Sequence, residues 1–304
     1  MPLFGRKKAS KKEEKHIEPP PNSIGIVGFK GGVGKTATAI ELSFLVARRG
    51  MTPSLIDWDP YNARATIRIL GSNWEVPCGA WDYVAGDCSK GPSEAAIRVK
   101  VKREEGGKPL NLFLSPPTRT YGAVTDKILE ALGNPDYPKR AERANELARY
   151  MGNIGDIVFN DFQVPSWMGL QAFKEIVDVT SRWLIVVVDH LPQSFQQTEH
   201  LTKMLFPNKV LALIVSKVPP ALLANPQENK TIMANAKKLQ NSIGAKVLAI
   251  VPFDAALYDQ TTRGAAASVA ASKDPSKVRS LRILNRLLNV IIDEVLKNKP
   301  GVGI

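Results

Sequence analysis

Cysteine is scarce in this 304-residue chain: only Cys78 and Cys88 occur, at a spacing that fits neither a C-x-x-C redox pair nor the common zinc-ligand patterns. The two are expected as free thiols in a reduced compartment. Without a C-x-x-C pair, cluster-transfer chemistry finds no support. Long apolar runs are missing too. The longest, 183–188 and 210–215, fall well short of the roughly 18 residues that cross a bilayer. The opening Met-Pro-Leu-Phe-Gly-Arg-Lys-Lys lacks the apolar stretch of a secretory signal, so a cytoplasmic address is expected. No internal repeat is present.

What remains is the composition of a soluble globular protein, 44% hydrophobic and 23% charged. The length suffices for one large α/β domain whose core needs no staples. The formal net charge of +12 favours an anionic partner such as nucleic acid or acidic lipid, because a positive field concentrates polyanions. Residues 1–21 carry six Lys/Arg against three Glu and end in prolines, which describes a basic, solvated tail on a stiff linker.

From residue 22 onward, short β-branched runs alternate with helical stretches. That pattern predicts a doubly wound α/β fold: a mainly parallel sheet with helices on both faces. Strands are expected near 24–28, 54–57, 110–115, 183–189, 210–216 and 247–252. Helices are expected at 35–49, stopped by Gly50, and at 226–243 and 275–297. One domain, 22–299, follows, with helical or loop insertions near 71–108 and 119–165.

The first expected strand runs straight into Lys30-Gly31-Gly32-Val33-Gly34-Lys35-Thr36 and then into a helix. Glycines at 31, 32 and 34 let main-chain N–H groups turn inward around an anion, and the helix N-terminus adds partial positive charge. Phosphate is the natural occupant. Lys35 supplies a point charge to the β- and γ-phosphates, and the Thr36 hydroxyl is placed to ligate Mg²⁺. The general phosphate-loop pattern expects glycine where this chain has Phe29, with Gly28 one residue earlier.

Lys-Gly-Gly-Val-Gly-Lys-Thr resembles the deviant Walker A motif of the ParA/MinD ATPases, in which the residue before the first lysine varies. The resemblance implies a P-loop NTPase that takes ATP and Mg²⁺ and forms a nucleotide-sandwich homodimer. In such a dimer Lys30 reaches the partner's phosphates. Where the family often has a second threonine near the α-phosphate, this chain has Ala37. Ser54-Leu55-Ile56-Asp57-Trp58-Asp59-Pro60 resembles the family's D-x-D-P switch, which implies Asp59 for orienting the attacking water and Asp57 for the Mg²⁺ shell. Leu184 to Asp189 reads as a buried Walker B strand, so Asp189 is expected to hold Mg²⁺ through water, and Asp189-His190-Leu191-Pro192 is similar to a D-x-x-P switch. Pro252, followed by Phe253 and later by Arg263-Gly264, resembles the loop that packs on the nucleotide base. The implied site is therefore Lys30, Lys35 and Asp59 for catalysis, residues 30–37 with Pro252 for nucleotide, and Thr36, Asp57 and Asp189 for metal.

The resemblance implies a slow, partner-stimulated ATPase but leaves its surface open. DNA partition is the first expectation: an ATP-bound dimer on nonspecific DNA, released by a centromere-binding activator, with Lys273, Lys277, Arg279, Arg282 and Arg286 as phosphate contacts. The alternative is a MinD-like positioning ATPase on a membrane surface, with Leu3, Phe4, Arg6, Lys7 and Lys8 as a basic-apolar anchor. Phe253 and Ala256, where DNA-binding members carry arginines, lean that way.

Overall fold

Side chains alternate faithfully between two cores along the central strands. In 183–189, Ile185 and Val187 enter one core while Leu184, Val186 and Val188 enter the other. This is the period-2 sorting of strands buried on both faces. The computed structural model describes residues 17–101, 108–134, 137, 139–165, 168–255, 257 and 269–297. Its strands are β1 (Ser23–Val27), β2 (Pro53–Asp57), β3 (Ile97–Val101), β4 (Leu110–Ser115), β5 (Ile157–Asp161), β6 (Trp183–Asp189), β7 (Val210–Val218) and β8 (Val247–Pro252). Its helices are α1 (Lys35–Arg48), α2 (Arg64–Leu70), α3 (Ala80–Ala85), α4 (Asp126–Gly133), α5 (Arg140–Ile154), α6 (Gly169–Thr180), α7 (Pro192–Leu205), α8 (Pro220–Ala224), α9 (Pro226–Ile243), α10 (Val269–Ser272) and α11 (Arg279–Lys297).

The eight strands form one sheet in the order β3-β4-β2-β5-β1-β6-β7-β8, parallel except for the β3–β4 pair. The doubly wound expectation is met. Helices α1 and α11 cover one face through Ile40, Leu42, Leu284, Leu288 and Ile291. The other face is covered by α3, α5, α6 and α9 through Trp81, Leu147, Phe173 and Leu239. Helix α1 is buried almost all round and ends at Gly50, whose φ of +81° is the left-handed turn expected after it. Among the described residues no helix is long and apolar enough to cross a membrane.

Two expectations need correction. The stretch 119–165, read as an insertion, contains β5, which lies between β2 and β1 at the centre of the sheet. Its apolar run is only Ile157, Val158 and Phe159 before Asn160 and Asp161, too short for its periodicity to stand out beside the charged α5. The region 71–108 likewise supplies the edge strand β3. Cys78 and Cys88 are not free thiols but a disulfide. Their Cα atoms, one on either side of α3, lie 5.8 Å apart, within bonding range. The tail 1–16, including Leu3, Phe4, Arg6, Lys7 and Lys8, lies outside the described residues, as do Ala256, Arg263 and Gly264.

Candidate nucleotide site

The phosphate loop leaves β1 at the sheet's centre and enters α1 with no intervening structure. Gly28 is required by packing, since a Cβ there would lie 2.6 Å from the Val187 carbonyl. Phe29, the departure from the general pattern, is buried in the core below the loop. Above it, Gly31 and Gly32 face open space, with no atom within 4 Å of a built Cβ. Gly32 at φ +75° and Gly34 at +100° hold the left-handed conformations that curl N–H groups around an anion. Val33 anchors the loop in the opposite core.

Lys35, 8% exposed, lies at the floor of a cavity of about 640 Å³. Burial lowers its pKa, against the opposing charges of Asp161 and Asp59. A cation held in a desolvated pocket strengthens its attraction for a phosphate. Thr36 lines the same cavity and hydrogen-bonds the carboxylate of Asp161. Asp161 is fully buried, and its Oδ1 has no hydrogen-bond partner among the described residues. Burial raises its carboxyl to about 7, while Thr36 and Lys35 pull the other way.

Asp59 lines the cavity from the β2 side. Its Oδ1 accepts the N–H groups of Tyr61 at 3.2 Å and Asn62 at 3.0 Å, which folds the chain back at Pro60 and fixes the carboxylate. Asp57, one register pair across from Asp161, does not line the cavity. Its oxygens accept from the Asp59 N–H at 3.1 Å and from Thr66 N–H and Oγ1 at 3.0 and 2.9 Å. It fastens α2 beneath the switch. Burial and the neighbouring carboxylates of Asp161 and Asp59 push it well above the ordinary range.

The family model for the CobQ/CobB/MinD/ParA nucleotide-binding domain matches residues 24–267. The chain belongs to this family. Among CobQ/CobB/MinD/ParA relatives, a putative septum site-determining protein MinD from Chlorella vulgaris is 22% identical over 79% of this chain and 75% of its own length. MinD of Pyrococcus horikoshii, solved in complex with Mg-ADP, superposes with a TM-score of 0.64 at 17% identity, covering 92% of this chain and 99% of that one. The pNOB8 ParA structure superposes at 0.54 with 18% identity, covering 91% and 98%. At these identities the solved structures establish the fold.

Of the residues expected at the site, Gly31, Gly32, Gly34, Lys35, Thr36, Ala37 and Asp59 line one cavity. The other five do not: Val33 packs into the core and Asp57 lies buried beneath the switch, while Lys30, Asp189 and Pro252 stand elsewhere. Lys30 is exposed and pairs with Asp189 at 2.7 Å, across from the loop at the end of β6. Burial pushes the Asp189 carboxyl up, but hydrogen bonds from Lys30, Ser194 and the Leu191 N–H outweigh it and hold it below its ordinary value. Pro252 closes β8, in register with Val218 and outside the cavity lining. The carboxylate beside Thr36 is Asp161, which sequence reasoning missed. A signal existed in the Ile157–Phe159 run ending in Asn160-Asp161, but the longer run ending in Asp189 outshone it. Arg64, Arg68 and Lys217 also line the cavity and were not foreseen.

Proposed function

We propose that the chain binds ATP with Mg²⁺, hydrolyses it slowly and dimerises around it, and that the ATP-bound dimer acts in DNA partition. The observation that carries the nucleotide reading is the convergence of the open glycine cradle, Lys35, Thr36 and the unsatisfied Asp161 oxygen on one cavity. The residues fit the metal as well as the phosphates. Mg²⁺ is held by one or two protein oxygens plus phosphate and water, and Thr36 with Asp161 offers a hydroxyl and a carboxylate side by side. In this assignment Asp161 takes the water-mediated role expected of Asp189, and Asp57 serves as a structural fastener. When bound, the metal supplies positive charge to the β- and γ-phosphate oxygens.

The loop N–H groups and Lys35 hold the phosphates in line, and Asp59 orients the attacking water. Lys30, tethered to Asp189 on the outer side, leaves that partner to reach the second protomer's phosphates. The base lies toward Lys217 and Pro252 at the ends of β7 and β8. DNA as the surface is supported by charge: Lys273, Lys277, Arg279, Arg282 and Arg286 are all exposed on and just before α11. A centromere-binding activator completes this reading.

A MinD-like role on a membrane is the second reading, favoured by the exposed Phe253 after Pro252 and by the basic-apolar segment at Leu3, Phe4, Arg6, Lys7 and Lys8. Titrating the ATP-bound protein with duplex DNA and with acidic liposomes over a salt range separates the two. DNA-selective binding with a steep salt slope supports partition, and liposome-selective binding supports membrane positioning.

A further inference from the structure

Gln163 is a cavity side chain that none of these roles uses. It is 4% exposed, it lines the cavity, and both its amide oxygen and its amide nitrogen are buried with no hydrogen-bond partner among the described residues. Buried amides are nearly always satisfied, because nothing else replaces the water they give up. An amide with both ends unmet at a cavity wall calls for a ligand that offers a donor and an acceptor together.

The location of this amide is fixed by its neighbours. The Trp58 indole N–H donates to Asn160 Oδ1 at 2.9 Å, and the Trp58 main-chain N–H donates to the Asp161 carbonyl at 3.0 Å. The rings of Trp58 and Phe162 stack at 6.2 Å with an interplanar angle of 7°. Residues 160–162 are thereby clamped onto Trp58. Asp59 and Gln163, the next residues along each segment, face the same cavity from two loops that are locked together.

We propose that Gln163 positions the attacking water: its side-chain oxygen accepts a hydrogen bond from that water, and its NH₂ donates to a terminal phosphoryl oxygen. This rests on the ATPase reading above. The water oxygen bonds to the terminal phosphorus as the bond from that phosphorus to the bridging oxygen breaks. The electron pair leaves on ADP, and the water's proton passes to the released phosphate. A neutral amide takes no proton and acts by orientation alone.

The test compares the full-length wild type with Gln163→Leu and Gln163→Asn. Leucine removes both unmet polar atoms at similar volume, so Gln163→Leu should melt no lower than wild type. At saturating Mg-ATP its turnover should fall roughly tenfold or more, with ATP affinity changed by less than about threefold. Gln163→Asn, which retracts the amide by one methylene, should lose turnover similarly and keeps the test open if the leucine variant aggregates. A purely packing role predicts the opposite: a lower melting temperature with turnover kept. Turnover within about twofold of wild type in either folded variant overturns the proposal. No turnover in the wild type would overturn the ATPase reading and this one together.

Discussion

Asp161 carries its site's electrostatics into the folding equilibrium. Burial lifts its carboxyl from 3.8 to about 7. Between those values the folded chain binds more protons than the unfolded one, so the contribution is fully present below the lower value and is lost as pH rises. The loss is complete above about 7. Asp161→Asn removes this titration. In metal-free, nucleotide-free protein the variant's melting temperature relative to wild type should therefore climb as pH rises from about 5 to 7 and level off beyond. Thermal scans at constant ionic strength read this directly, and a flat difference would mean that Asp161 ionises like an exposed carboxylate. Lys35 works in the opposite direction at the same floor. Replacing it by alanine removes the buried cation facing the phosphates, and ATP affinity measured by calorimetry should drop by about tenfold or more.

At the scale of elements, the question is which strand end presents the metal carboxylate. If β5 does, Asp161→Ala abolishes the Mg²⁺ dependence of ATP binding while Asp189→Ala leaves it in place; calorimetry with and without Mg²⁺ separates the strands, and the reverse pattern restores the assignment to β6. The same contrast shows what the sequence made legible. Strands β4, β6 and β8 run over the expected residues because short apolar runs, β-branched in β6 and β8 and alternating in β4, stand out between polar stretches. Strand β5 was hidden because its fifteen-residue neighbour α5 dominates the local pattern. Pairing between strands distant in sequence is a tertiary fact, and so is the meeting of Thr36 with Asp161. Helix α1 illustrates a second such fact. Glu41, fully buried in mid-helix, accepts the N–H groups of Val269 and Ala270 at 3.1 and 2.7 Å and lies 3.5 Å from Arg68. It ties the phosphate-loop helix to both α2 and α10. Glu41→Ala should cost about 3 kcal/mol of unfolding free energy, since it takes an opposite charge away from a buried guanidinium and the acceptor away from two main-chain donors. Urea denaturation measures the loss, and a change within experimental scatter would show that the tie is not structural.

For the whole molecule, charge and nucleotide state have to be connected. A net charge of +12 alone gives only diffuse attraction to polyanions. The exposed bases on and before α11 turn that excess into a surface, because Leu284, Leu288 and Ile291 commit the opposite side of the helix to the core beside α1. Arg49 reaches from the end of α1 to Asn285 and Asn289 on α11, at 2.7 and 2.6 Å from their side-chain oxygens, so the basic surface is pinned to the helix that begins at the phosphate loop. In the proposed dimer around ATP two such surfaces would lie on one particle, and two weak patches that engage a polyanion together gain far more than either gains alone. Lys30→Ala should therefore leave monomeric ATP binding intact yet abolish both the ATP-dependent dimer in sedimentation and the DNA binding that depends on it. Reversing Arg279, Arg282 and Arg286 to glutamate should preserve the dimer and remove DNA binding. Milder alanine replacements should each reduce the log–log salt slope by about 0.9 for every DNA phosphate that is no longer neutralised. Unchanged DNA binding in the glutamate variant, with its dimer intact, would take the partition surface away from α11.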